Sequence, residues 1–227
     1  MTDVYTAQQA GRIRLSAFVM LPASLIALAV MFAVVGTPIL VPMLIGAGGW
    51  LAALVLRQPV ALIASRRLSK DTAGKVVGWF SGPAEELVRL VLVLLVVHTV
   101  ADAAWFGYGW ATIEVLVVAV NVLAVASLVT KDDPKSREAR DLLEAQGMLK
   151  TQSPLWGLME RISATALHMG FTLLLFANPW LVLVTLPAHS IVNMVAVKYG
   201  RTHIALTELG LALAGAAALT AGVLALA

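Results

Sequence analysis

Residues 81–97 read SGPAEELVRLVLVLLVV. From Leu90 to Val97 every side chain is apolar, as in a segment made for lipid, yet Glu85, Glu86 and Arg89 stand just before that run. One ionised group near the centre of a spanning helix costs roughly 2.5–3.5 kcal/mol on insertion scales. Three such groups are too costly to be incidental. Either the segment does not cross a membrane, or its charges have work inside one.

Composition decides for the membrane. The chain has 227 residues, 60% hydrophobic and 13% charged, whereas soluble domains are nearer about 25% charged. The apolar residues come in blocks long enough for spanning helices, which need about 20 residues each. The pattern predicts an all-α, polytopic transmembrane bundle forming one integral membrane domain over 1–227. Seven spans are expected, near 15–35, 38–56, 76–101, 105–130, 157–177, 180–198 and 204–226, with the chemistry in the helices of about 76–198. The first is read as an uncleaved helix because no convincing small-residue cleavage site follows it. There is no cysteine, which removes disulfides and thiol catalysis. The net charge of +3 is explained by basic loops rather than by nucleic acid.

Those loops alternate. Arg12 and Arg14, then Arg57, Arg66, Arg67, Lys70 and Lys75, then Lys131, Lys135, Arg137, Arg140 and Lys150, and finally Lys198 and Arg201 lie on one side. Gly36–Thr37, Asp102 to Ala104 and Asn178–Pro179 carry no cation. The positive-inside rule then places the N-terminus in the cytoplasm and the C-terminus outside. Trp105, Trp156 and Trp180 open spans where an aromatic belt would sit. Pro134 begins a solvated cytoplasmic helix. GAGGWLAAL at 46–54 and GLALAGAAALTAGVLALA at 210–227 are read as close helix contacts.

Helical rise places Glu85 and Glu86 roughly 14 Å deep, near the midplane of a core about 30 Å thick. Glu114, His168 and His189 reach the same layer from three other spans, with Asn193 a turn from His189 and Arg161 about two turns from His168. Glu85 and Glu86 stand four and three residues before Arg89, so either can pair with it. Pro83 should loosen the backbone just before them. Glu114 is best read as structural support that pairs with Arg161 or Arg89. His98, His203 and Glu208 are assigned no chemistry. Intramembrane ionisable groups mark function by default. One carboxylate, two imidazoles and an amide suffice to activate water and stabilise an oxyanion.

EELVR at 85–89, ERISATALH at 160–168 and HSIVN at 189–193 resemble the three motifs of the CAAX-protease and bacteriocin-processing family of glutamic intramembrane endopeptidases. FGYGWATIE and GLMERISATALH are similar to its YhfC-type branch. The resemblance covers about 81–199. It implies a glutamic base at Glu85, a supporting pair of Glu86 with Arg89, a water ligand at His168 and an oxyanion site of His189 and Asn193. Two departures stand out. The family spaces its carboxylates and arginine as Glu-Glu-x-x-x-Arg, so aligning on Arg89 puts Ala84 at the first Glu and leaves the base open between Glu85 and Glu86. Ala164 stands where the family usually has Phe.

The expected function is therefore metal-independent peptide hydrolysis in a prokaryotic plasma membrane. Its substrate would be a peptide or membrane protein, with no cofactor and no nucleic-acid partner. Three alternatives stay open: zinc held by His168, His189 and a Glu, a non-catalytic scaffold or immunity-type relative, and a proton- or ion-coupled transporter.

Overall fold

A computed structural model of the chain describes residues 7–145, 149, 152–200 and 202–227. Lys150 and Arg201, two of the cations used for the loop pattern, lie outside the described residues. Every described element is helical. Two helices, α1 (Ala7–Met20) and α2 (Pro22–Val34), together make the first long segment. Pro22 begins α2, where its missing N–H costs no helical bond. Gly36 turns the chain at φ 103°, a backbone region open chiefly to glycine. Then come α3 (Leu40–Arg67), α4 (Lys70–Val96), α5 (Val100–Leu128) and the short α6 (Pro134–Ala145). The chain continues with α7 (Pro154–Ala177), a 3₁₀ turn at Pro179–Leu181, α8 (Val182–Tyr199) and α9 (Ile204–Leu224).

Five segments are long and apolar enough to cross a membrane: Gln8–Val34, α3, α5, Pro179–Tyr199 and α9. Helices α4 and α7 are comparably long but carry the charged residues of the polar layer. The surface is apolar where a soluble protein's would be polar. Leu25, Leu44, Leu95, Trp180 and Val197 are exposed, while Glu85, Glu86, Arg89, Arg161, His168 and His189 are buried. Such an inversion fits a hydrocarbon surround, in which polar groups must find partners inside the protein.

The helix ends have local causes. Ser69 accepts a hydrogen bond from the Thr72 N–H at the start of α4, and Thr99 and Asp102 form a reciprocal capping box on α5. Ser153 caps α7 immediately before Pro154. Asp133 accepts from both the N–H and the hydroxyl of Ser136 at the start of α6, which holds its carboxyl below the ordinary range. The solvated helix expected after Pro134 is thus present.

Three expectations are revised. Helix α3 does not stop near residue 56 but runs on through Pro59 to Arg67, carrying Arg57 inside a long helix. Helix α4 is displaced toward the N-terminus of its expected span and ends at Val96, because Thr99 and Asp102 cap the next helix instead. Trp105 is no belt residue. It is fully buried in a core with Trp50, Phe106 and Trp110 and stacks edge-on against Tyr108.

The small-residue stretches act as expected. A side chain at Gly46 would strike the Phe106 backbone, and one at Gly170 the Ala218 backbone, so α3 with α5 and α7 with α9 meet backbone to backbone. Two further close approaches build the polar layer. Gly82 lies against Leu186 and Ser190, and Gly107 against Met169 and Thr172. The first draws α8 onto α4, the second α7 onto α5. Four helices thereby turn their polar side chains toward one another.

Candidate active site

The polar side chains form one chain of contacts across five helices. At one end, Arg57 Nη1 on α3 lies 3.2 Å from Glu85 Oε1 on α4. The other oxygen of Glu85, Oε2, is 3.6 Å from His189 Nε2 on α8 and has no hydrogen-bond partner. His189 Nδ1 lies 2.7 Å from Glu86 Oε1, and Arg89 Nη2 is 3.3 Å from that same oxygen. Arg89 continues into α7. Its Nη1 donates to the His168 carbonyl and to Thr172 Oγ1, each at 2.9 Å, and its guanidinium stacks 4.2 Å over Trp110. Arg89 Nη2 also meets His168 Nδ1 at 2.8 Å. His168 Nε2 lies 2.5 Å from Glu114 Oε2 on α5. Arg161 completes the series, with Nη1 2.8 Å from Glu114 Oε1 and Nη2 2.5 Å from Glu160.

Proton positions follow from the partners. Arginine only donates, so His168 Nδ1 carries the lone pair and its Nε2–H donates to Glu114. Both nitrogens of His168 are committed. At His189 the carboxylate of Glu86 accepts from Nδ1–H, which leaves Nε2 facing Glu85 Oε2; the neutral ring presents a lone pair there, the protonated ring an N–H. His189 thus offers one free nitrogen beside one free carboxylate oxygen, with a carboxylate behind the ring to fix its tautomer. The two imidazoles stand 5.3 Å apart edge to face.

The resulting map differs from the sequence reading in its pairings. Arg89 takes Glu86, while Glu85 is held by Arg57, whose position beyond the expected span disguised it as a loop cation. Glu114 pairs with Arg161, as expected, and also with His168. The carboxylate at His168 is thus Glu114, not Glu85 or Glu86. A cavity of about 40 Å³ is lined by His168, His189 and Asn193 together with Glu114, Glu160 and Arg161. Glu85 and Glu86 are reached through His189 rather than from that cavity wall. Asn193 Nδ2 donates to Ser81 Oγ at 2.8 Å, and Ser81 in turn donates to the Gly78 carbonyl. Ser81, Thr172 and Arg57 were missed. The two hydroxyls are uncharged and common in helices, whereas Arg57 was detectable as the cation directly after the hydrophobic run 50–56. His98 and His203 are exposed, away from the network.

Glu85, His168 and His189 bring one ligand-type atom each to within 4.8 Å of one another. Their surroundings do not suit zinc. A neutral imidazole binding metal through Nε2 needs its proton on Nδ1, but His168 Nδ1 faces the donor-only Arg89. Glu85, Glu86 and Glu114 already each have a guanidinium within 3.3 Å.

No family model, curated protein or solved structure matches the chain.

Proposed function

We propose that the chain is a membrane-embedded glutamic endopeptidase of the kind its three motifs resemble, the CAAX-protease and bacteriocin-processing family. The observation that carries this is the pair of free atoms, Glu85 Oε2 and His189 Nε2, 3.6 Å apart in a buried layer. One water off the line between them can donate to both at ordinary hydrogen-bond lengths, leaving its oxygen lone pairs for a peptide carbonyl. Glu85 takes the proton as the water oxygen bonds to the carbonyl carbon, and the proton then passes to the departing amine as the C–N bond breaks. Glu86 orients His189. Asn193 turns its amide from Ser81 to the oxyanion. This moves the water from His168, where the family resemblance put it, to His189; His168 becomes a positioning residue between Arg89 and Glu114. No metal takes part in this scheme.

In this reading α4 and α7 cross the bilayer along with the five more apolar segments. Their charges are tolerated because each has a buried partner. The basic loops favour an N-terminus in the cytoplasm, and the family resemblance favours a prokaryotic plasma membrane. A cysteine at position 135, in an otherwise cysteine-free chain, should resist an impermeant label applied to the outer face of intact cells; labelling there would reverse the topology.

A non-catalytic scaffold is the second reading. It is favoured by the cavity of about 40 Å³, which has no room for a peptide segment until the helices part. Membrane-peptide fragments from cells making wild type and from cells making Glu85→Gln separate the two. A cleavage seen only with wild type supports the endopeptidase, and identical fragments with an intact cellular phenotype support the scaffold.

A further inference from the structure

A larger concavity of about 520 Å³ lies at the end of the bundle where α7 and α9 begin. It shares Glu160, Ala196 and Leu211 with the small cavity beside His168 and His189, so the two are neighbours. Its volume falls within the range of small-molecule and peptide side-chain sites. On its wall stands Glu208 of α9, only 5% exposed, with Oε2 lacking any hydrogen-bond partner. Among the described residues no cation lies within ion-pair distance of it. Glu160 shares the same wall and keeps part of its side chain exposed while it pairs with Arg161. Arg12 also borders the cavity, but its side chain is exposed. Trp156 supplies an aromatic surface.

A carboxylate buried without a partner, such as Glu208, is costly, and an anionic ligand would meet it together with Glu160, which Arg161 already pairs. We propose that this cavity receives a cationic group of the substrate, seated between Glu208 and Glu160 against Trp156. That group is a lysine or arginine side chain or a free amino terminus. The proposal rests on the endopeptidase reading and adds a specificity determinant to it: a positive charge near the bond that enters the His189 cavity. Trp156 covers the aliphatic stem or backbone while the two carboxylates take the charge.

The test uses full-length Glu85→Gln protein in nanodiscs, so that binding is read without turnover. The probes are apolar decapeptides with a neutral dye at the C-terminus and one lysine at successive positions. Each has a glutamine counterpart, and each is made with a free and with an acetylated amino terminus. Fluorescence anisotropy should show at least one cationic peptide binding about tenfold tighter than its neutral counterpart, a difference near 1.4 kcal/mol. Adding Glu208→Gln should erase that preference. A preference kept by the acetylated lysine peptides assigns the cation to a side chain, and one seen only with free termini assigns it to the amino group. Glu208→Gln should melt at or above the parent temperature, because no partner is lost. Equal binding of charged and neutral peptides, a preference that survives Glu208→Gln, or a clear fall in its melting temperature would overturn the site. A charge preference in a protein whose wild type cleaves nothing would keep the site and reject the endopeptidase.

Discussion

The two histidines occupy the same buried layer and are treated oppositely by their neighbours. His189 on α8 has one nitrogen tied to Glu86 and the other turned to an oxygen of Glu85 that has no hydrogen bond. His168 on α7 has both nitrogens engaged, by Arg89 and by Glu114. Depth and residue type are alike, so the contrast lies in what faces each ring edge. A ring with a free edge is equipped for proton chemistry, and a ring without one holds helices in register. In the proposed endopeptidase the α4–α8 half of the network would therefore be the reacting half, and the α5–α7 half its support.

The sharpest way to break this contrast is to truncate each ring. His189→Ala should lower the cleavage rate by about 10²- to 10⁴-fold, the usual loss on removing a positioned acid–base group, with a smaller fall in melting temperature, because Glu86 loses the Nδ1 contact but keeps Arg89. His168→Ala should do the reverse. It leaves Arg89 Nη2 and Glu114 Oε2 each without that partner, a loss of about 1–3 kcal/mol, so the melting temperature should fall further than in His189→Ala. Rate measurements well below the melting point, paired with thermal denaturation in one detergent, check both. Equal rate losses with equal melting temperatures would erase the distinction between the halves.

Asn193→Ala comes next. Removal of one oxyanion donor typically costs about 10²- to 10³-fold, and the loss should appear in kcat rather than KM. Ser81→Ala sharpens this case, since it frees the Asn193 amide from its resting hydrogen bond and should leave the rate at or above wild type. A Ser81→Ala rate as low as that of Asn193→Ala would mean that the pair is only structural.

Arg161→Lys should have a smaller effect. One ammonium cannot reproduce the separate Nη1 and Nη2 contacts to Glu114 and Glu160, so stability should fall by about 1 kcal/mol with little change in rate at low temperature. The smallest effect is expected from a chelator. With His168 Nδ1 facing Arg89, removal of metal should leave the activity of purified protein unchanged, and zinc loss that tracks activity loss would contradict that assignment.

Much of this architecture was readable from residue patterns. Runs such as Leu90–Val97 mark helices because lipid requires them, and the layer holding Glu85, Glu86, Glu114, His168 and His189 follows from helical rise alone. The pairing of those groups was not readable. Glu85 and Glu86 are adjacent, so they project about 100° apart on a helix of 3.6 residues per turn. Which one meets Arg89 depends on where α3 and α8 stand. Arg57 looked like a loop cation because hydrophobicity falls at that point, yet α3 continues and the side chain turns inward to Glu85. Trp105 looked like an interfacial anchor because it opens a polar-to-apolar transition, but the capping box at Thr99 starts the helix earlier and carries Trp105 into the core. Glu208 was set aside as a residue near a helix end; its burial depends on the approach of α7.

The central claim is that water, held by Glu85 and His189, is the nucleophile. It is tested most directly by incubating purified wild type and Glu85→Gln in the same lipid vesicles with membrane peptides in H₂¹⁸O, followed by mass spectrometry of new carboxyl termini. Wild type should give termini carrying one ¹⁸O atom with no covalent peptide adduct on the protein, and Glu85→Gln no new termini; an acyl adduct, which would also take up one ¹⁸O on hydrolysis, would contradict direct attack by water. The same labelled termini in equal amounts from both proteins, or from neither, would contradict it.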